Sequence, residues 1–547
     1  MIVAQAVGRA LAQLGVGTAF GVVGSGNFHL TNALVEHGVR FVAARHEGGA
    51  ATMADAYARM SGTVGVLSVH QGPGLTNAMT GITEAAKSRT PLLILAAEAL
   101  EPRSNFHVDQ SGLAQAVGAV PVRVRSAGSA VQDAVQAYRI AAHDRRTVLL
   151  NLPLGIQGRP AEGGGEALST PSRESAVRPS PEAVAALAKV LSAARRPVFV
   201  AGRGARHARS ELSALAERTG ALLATSAVAR GLFRDSPWNL DVSGGFASPL
   251  AAELIREADL IVGWGCALNM WTMRHGALIG PSTTVVQVDD DPEALGAHRP
   301  IELGVLADVA ATARAVMDLG EYGSRVPSGG WRDPALAERI AREIAWRDVP
   351  YDDESGGGRI DPRTLSIALD DLLPAERIVS VDSGNFMGYP SMFLSVPDEN
   401  GFCFTQGFQS IGLGLATAIG AALARPDRLP VAALGDGGAL MGIAELETVV
   451  RLGLPMVIVV YDDEAYGAEV HHFGPDGHAL DQVRFPPADI AAIGRGFGCV
   501  ALTVREPADL AVVRGWLDGP RDRPLLIHAK VTAERASWWL EEAFRGH

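Results

Sequence analysis

Between Val431 and Gly467 the chain reads VAALGDGGALMGIAELETVVRLGLPMVIVVYDDEAYG, and this stretch restricts the fold more than any other. An apolar run, Val431–Leu434, stops at Gly435-Asp436-Gly437. A helical pattern around Ala444–Leu452 follows, and a second apolar run, Pro455–Tyr461, ends in Asp462-Asp463. Two continuous apolar runs joined through a helix predict neighbouring strands of a parallel sheet, buried on both faces. Such sheets bind ligands beyond the carboxyl ends of their strands. Asp436 and Asp463 both fall there, beside a glycine-rich turn whose N–H groups can face an anion. The stretch is therefore a candidate site for a hard cation holding a phosphate group, with Gly435, Asp436, Gly437 and Gly438 as its cradle.

The same alternation of short apolar runs and helical patterns fills the rest of the 547 residues, too many for a single core. We expect an α/β protein of three doubly wound parallel-sheet domains spanning residues 1–156, 182–319 and 359–540. Strands are expected at 19–23, 41–44, 64–70, 91–96 and 147–152 in the first. The second has candidates at 197–201, 222–224, 260–264 and 284–288, and the third at 377–381, 430–434, 456–461, 499–502 and 524–529. The Gly-, Pro- and Ser-rich stretches Gln157–Pro181 and Tyr322–Gly358, the latter with a helical piece at Ala335–Trp346, read as linkers. Gly202-Arg203-Gly204 has too few glycines for a dinucleotide fingerprint and reads as a strand-to-helix turn.

Composition narrows the function classes. A net charge of −12 argues against a nucleic-acid partner. Cys266, Cys403 and Cys499 share no metal-binding spacing and point to a reducing compartment. No signal-peptide pattern and no long uncharged apolar run is present, so the expected location is the cytoplasm, with no membrane span.

Gly435-Asp436-Gly437, the helix and strand, and then Tyr466-Gly467 resemble the thiamin diphosphate motif of the decarboxylase and acetohydroxyacid synthase superfamily. The resemblance extends over the whole chain, and it implies that Mg²⁺ is held by Asp436, Asp463 and the backbone carbonyl of Ala465. It also implies pyrimidine-binding, central and diphosphate-binding domains, and a homodimer or homotetramer in which Glu47 and Asp436 of one centre come from different subunits. One departure stands out: the family's asparagine pair is replaced by Asp462 and Asp463. Either nearby donors offset the added charge, or cofactor affinity falls, or Asp463 is protonated or turned away.

Three further motifs match. His46-Glu47-Gly48-Gly49 resembles the segment whose glutamate bonds the aminopyrimidine and so drives loss of the cofactor's C2 proton. His70-Gln71-Gly72-Pro73-Gly74 forms a tight turn whose equivalent lines the cofactor site. With Ser25, His70 is similar to benzoylformate decarboxylase, where the serine holds a substrate carboxylate. That enzyme's second active-site histidine has no clear match. Gln406–Gly414 resembles the segment in which an apolar residue, here Ile411 after Ser410, wedges the two cofactor rings into a V. Asn385, after the strand 377–381, is placed to reach the diphosphate.

For the substrate pocket the expected residues are His107 and Gln110 in the first domain and His471 and His472 after the metal loop. Val288-Asp289-Asp290-Asp291-Pro292 is similar to the place where some members bind the adenosine of a nucleotide, but it reads equally as a solvated turn, and FAD is not assigned. The reaction implied is decarboxylation of a 2-oxo acid with carboligation to a carbonyl acceptor, as in acetolactate synthase. The alternatives are a simple 2-oxo acid decarboxylase and a non-catalytic family member.

Overall fold

A computed structural model describes residues 1–162, 176–319 and 330–543. Among them stand three six-stranded sheets in which every strand pairing is parallel. The first contains β1 (Thr18–Gly21), β2 (Arg40–Ala43), β3 (Gly65–Val69), β4 (Leu92–Glu98), β5 (Val120–Arg123) and β6 (Thr147–Pro153), in the order β2-β1-β3-β4-β6-β5. The central sheet contains β7 (Pro197–Ala201), β8 (Leu222–Thr225), β9 (Asn239–Val242), β10 (Leu260–Trp264), β11 (Thr284–Asp289) and β12 (Leu303–Leu306), in the order β12-β11-β10-β7-β8-β9. The third contains β13 (Arg377–Val381), β14 (Phe402–Phe404), β15 (Leu429–Gly435), β16 (Val457–Asp462), β17 (Val500–Val504) and β18 (Leu525–Lys530), in the order β14-β13-β15-β16-β18-β17.

The first and third sheets therefore share one topology, and the central sheet has another. Each has a switch point where the chain, after leaving to one side, returns on the other: β1/β3, β7/β10 and β13/β15. Crevices at such points are where open α/β sheets bind ligands. Ser25 and His70 follow β1 and β3, Gly202-Arg203-Gly204 and Gly265 follow β7 and β10, and Asp382 and Asp436 follow β13 and β15.

β5, β9, β12 and β14 were not among the expected strands, and all four are edge strands. The expected helix around 444–452 is Glu445–Arg451, and a further short helix, Asp436–Met441, precedes it and stops before Gly442, where a Cβ would lie 3.0 Å from the Gly412 carbonyl oxygen. Of the expected linkers, residues 163–175 and 322–329 lie outside the described residues, and the helical piece in the second is Pro334–Glu343. Among the described residues no helix is long and apolar enough to cross a membrane.

The first and third units share a core. Helix Gly414–Ala424 (GLATAIGAALA) is buried on almost every side, because one face covers its own sheet and the other meets helix Glu47–Ser61. A helix apolar all round is the sequence correlate of that position. Gly420 sets the spacing: a Cβ there would lie 2.2 Å from the carbonyl oxygen of Met53.

Candidate active site

The expected site residues fall into two groups. In the first unit, Ser25, His70, Gly72 and Glu47 gather at the β1/β3 switch point. His70 Nδ1 lies 2.9 Å from the carbonyl oxygen of Gln71, which fixes the proton on that nitrogen and leaves Nε2 to accept from Ser25 Oγ at 3.4 Å. A Cβ on Gly24 would come within 2.3 Å of the His70 ring, so the residue before Ser25 has to be small. Gly72 takes φ +64°, and a side chain there would meet the Phe106 carbonyl oxygen at 2.6 Å. Glu47 opens its helix, where the dipole favours a carboxylate. Asn77 Nδ2 donates to its Oε2 at 3.1 Å.

The third unit supplies the second group. The acids at the ends of β13, β15 and β16 converge, but each is differently satisfied. Asp382 accepts from the amides of Ser383 and Gly412 and fixes the turn after Ile411. Burial nevertheless pushes its carboxyl up to about 6, against the pull of those amides. Burial first, and then the charges of Asp463 and Asp462, raise Asp436. Asp463 is raised by burial and by Asp462, and its carboxyl hydrogen-bonds with that of Asp436. Two acids held this close in a buried turn need a shared proton or a cation. Asp462, by contrast, accepts from Lys530 Nζ and His528 Nε2, both at 2.6 Å, and from the Glu464 amide. Although its burial opposes it, these partners hold its carboxyl below the ordinary range. The donors that offset the acidic pair thus go to Asp462, and Asp463 is left facing Asp436.

The glycines of this turn are required by close approaches. A Cβ on Gly437 would meet the Tyr466 ring at 2.6 Å, on Gly438 the Asp382 carboxylate at 2.4 Å, and on Gly467 the Asp463 carboxylate at 2.3 Å. Gly435, Asp436, Gly437 and Gly438 line a cavity of about 1040 Å³ together with Ile411, Asp463, Ala465 and Asn385. Asn385 has its two oxygens engaged by Ser537 and Trp539, so it anchors the segment near residue 538 and only its amide nitrogen remains toward Gly467. The cavity extends to the central switch point, with Arg203 and the Asp289–Asp291 turn in its wall. That turn is tied to the first unit by Arg89–Asp291 and Arg145–Asp290 ion pairs.

Several expected residues stand elsewhere. Glu47, Ser25 and His70 do not line this cavity. Gln110 is buried, donating to Ala97 and Asn151 and accepting from the Gly72 amide, so it supports the turn rather than facing a pocket. His107 pairs with the Ala99 carbonyl oxygen, and Ser410 Oγ donates to that of Ile411. His471 and His472 lie on helix Gly467–Phe473 outside the cavity wall, and burial lowers His471. The sequence reading passed over Asp382, although an acid ending a strand was the same signal that marked Asp436. It also missed Glu469 and Trp539 in the cavity wall, for which it offered no pattern.

Residues 1–117 match the N-terminal TPP binding domain of the thiamine pyrophosphate enzymes, 184–316 their central domain, and 382–529 their C-terminal TPP binding domain. The probable 2-ketoarginine decarboxylase of Pseudomonas aeruginosa is 31% identical over 92% of this chain and 89% of its own. The sulfoacetaldehyde acetyltransferase of Rhodobacter capsulatus is 28% identical, over 100% and 96%. The large subunit of acetolactate synthase isozyme 2 of Escherichia coli is 29% identical, over 85% and 83%. With all three units matched in order, the chain belongs to the thiamine pyrophosphate-dependent enzymes.

Proposed function

We propose that this chain decarboxylates a 2-oxo acid with thiamin diphosphate and Mg²⁺ and joins the product to a carbonyl acceptor. The observation that carries the reading is the Asp436–Asp463 pair, a buried acid and a half-buried one facing each other in the cavity wall beside a glycine cradle. Among the described residues no cluster of three or more His, Cys, Asp or Glu forms a complete metal site. Two carboxylates and the Ala465 carbonyl suit an ion whose remaining ligands are phosphate oxygens and water. When bound, the cofactor supplies the electron sink for the pair released as CO₂ leaves.

The chain's own residues do the rest. Glu47, its Oε2 fixed by Asn77, is placed to exchange a proton with a ring nitrogen through its carboxyl. Ile411 supplies an apolar wall opposite the Asp436 turn, and the cradle glycines let backbone come close to the diphosphate. That Glu47 does not line the Asp436 cavity supports a centre completed by a second copy. Both half-sites carry exposed apolar side chains, Phe28 and Phe106 in the first unit and Phe408 and Met441 in the third. The separate, buried, unpaired cysteines support a cytoplasmic location.

The Ser25–His70 contact favours a second reading, release of an aldehyde after protonation, with His70 as the proton carrier. A screen of 2-oxo acids with and without added aldehydes, read by mass spectrometry, separates the two: ketol products support carboligation, and aldehyde alone supports simple decarboxylation. Glu47→Gln should lower C2 proton exchange of the bound cofactor by about 100-fold or more. Unchanged exchange removes Glu47 from its role. Mixing Glu47→Gln and Asp436→Asn chains should restore activity that neither has, and no recovery would argue against a shared centre.

A further inference from the structure

Two buried carboxylates cross between the first and third units in opposite directions. Glu445, 3% exposed, reaches from the third unit to the backbone directly before Glu47. It accepts from the amides of Arg45 at 3.1 Å and His46 at 3.0 Å, and Thr448 Oγ1 donates to its other oxygen at 2.6 Å. Gly49 makes the room, since a Cβ there would lie 2.5 Å from Glu445 Oε1. From the same helix, Arg451 donates to the Ala43 carbonyl oxygen. In the other sense Glu84, on helix Pro73–Lys87 of the first unit, accepts from the amides of Gly407 at 2.9 Å and Phe408 at 2.6 Å. Those amides precede Ile411 by four and three residues. Arg59 and Ser88 complete the Glu84 carboxylate at 2.8 and 2.9 Å.

All four amides belong to loop residues that no helix or strand ladder satisfies, so each takes its acceptor from the other unit. Each unit presents bare donors and the other supplies the anion, which makes the hydrogen bonds charge-assisted and directional. The Arg45–Glu447 ion pair nearby is long, 3.7 Å, with the Arg45 side chain 56% exposed, so it adds little to the grip.

We propose that Glu445 and Glu84 are positioning residues. Glu445 acts through Arg45 and His46 to aim Glu47, and Glu84 acts through Gly407 and Phe408 to set Ile411. This rests on the cofactor roles given to Glu47 and Ile411 under the proposed function. Neither carboxylate lines the Asp436 cavity, and each fixes a loop of the unit to which it does not belong.

The test uses the full-length chain with Glu445→Gln and Glu84→Gln, followed by amide hydrogen exchange and mass spectrometry. Glu445→Gln should speed exchange at residues 45 and 46 about tenfold while 407 and 408 stay protected, and Glu84→Gln should do the converse. Gly49→Ala, which drives a methyl into the Glu445 carboxylate, should reproduce the Glu445→Gln pattern and add little to it in the double variant. In the cofactor-loaded protein, Glu445→Gln should lower C2 proton exchange at least tenfold, with the Kd for thiamin diphosphate changed by no more than about threefold. Unchanged loop exchange, acceleration spread evenly through the first unit, or selective loosening with unaltered C2 exchange would each overturn the proposal. Failure of the unsubstituted chain to bind thiamin diphosphate would instead count against the proposed function, with the loop exchange still reporting whether the carboxylates pin the loops.

Discussion

Arg59→Met isolates the electrostatic joint between the first and third units. The Arg59 guanidinium donates to Asp55 at 2.7 Å and Glu84 at 2.8 Å through one nitrogen, to Asp55 again through Nε at 2.9 Å, and to the Phe404 carbonyl oxygen at 2.9 Å. Both carboxylates are fully buried and Arg59 is 7% exposed. Methionine fills much of the space without the charge. Breaking a buried pair from one side costs about 3–5 kcal/mol. Relief comes from the Glu84 contacts to Gly407, Phe408 and Ser88, and from protonation of Asp55, which burial already holds above its ordinary range. The lower end, ~3 kcal/mol at pH 7, is therefore expected. For a unit of about 150 residues this is a loss of roughly 6–12 °C in Tm.

The pH dependence of that loss has a defined sign. In the natural chain burial alone would raise Glu84, but Arg59 and the amides of Phe408 and Gly407 pull it below its ordinary value. Its contribution is full above the unfolded pKa and fades as pH falls through the folded one. Without Arg59 both carboxyls rise above their unfolded values, so their contribution is full at low pH and lost as pH rises. The deficit should shrink toward pH 5 and grow toward pH 8 in scanning calorimetry of both proteins. A Tm within 2 °C of the natural chain at pH 7, or a larger deficit at pH 5 than at pH 8, would refute the reasoning.

Three shorter tests address the other joints. Asp463→Asn removes one charge from the pair shared with Asp436, so isothermal titration should show Mg²⁺-dependent thiamin diphosphate affinity kept or raised by up to about tenfold, whereas a large loss would remove Asp463 from the proposed metal set. Lys530→Met leaves Asp462 with His528 and the Glu464 amide but without its charged partner and should cost about 2–4 kcal/mol in urea unfolding, a value indistinguishable from zero meaning that those two suffice. Gly420→Ala forces a methyl against the Met53 carbonyl oxygen and should cost about 1–3 kcal/mol, and an unchanged midpoint would show that the two helices separate freely.

The strands buried on both faces were legible because they read as unbroken apolar runs. Four of the six edge strands were not, although β2 and β17 were. β5 (VPVR) contains a proline, β9 (NLDV) alternates, β12 (LGVL) contains a glycine, and β14 has three residues. At the site, the Gly-Asp-Gly turn and Glu47 were legible because their chemistry is local. Glu445 and Glu84 were not, since their partners lie some 400 and 320 residues away in sequence. Asp462 and Asp463 look alike in sequence, and what separates them is a register. β16 pairs with β18 so that Asp462 faces Lys530, and the neutralising charges reach one acid and not its neighbour.

The packing of helix Glu47–Ser61 on helix Gly414–Ala424 also bears on how the chain is made. About 350 residues separate the two helices. At ~5–20 residues per second, the ribosome needs on the order of 20–70 s to deliver the second after the first. During that interval Ala56 and Met60, whose apolar partners in the finished protein include Ile378 and Ala421, lack them. The first unit can close its own sheet early, yet one of its helices waits with an apolar face uncovered. Until that partner arrives, the uncovered face is open to aggregation however stable the completed enzyme is.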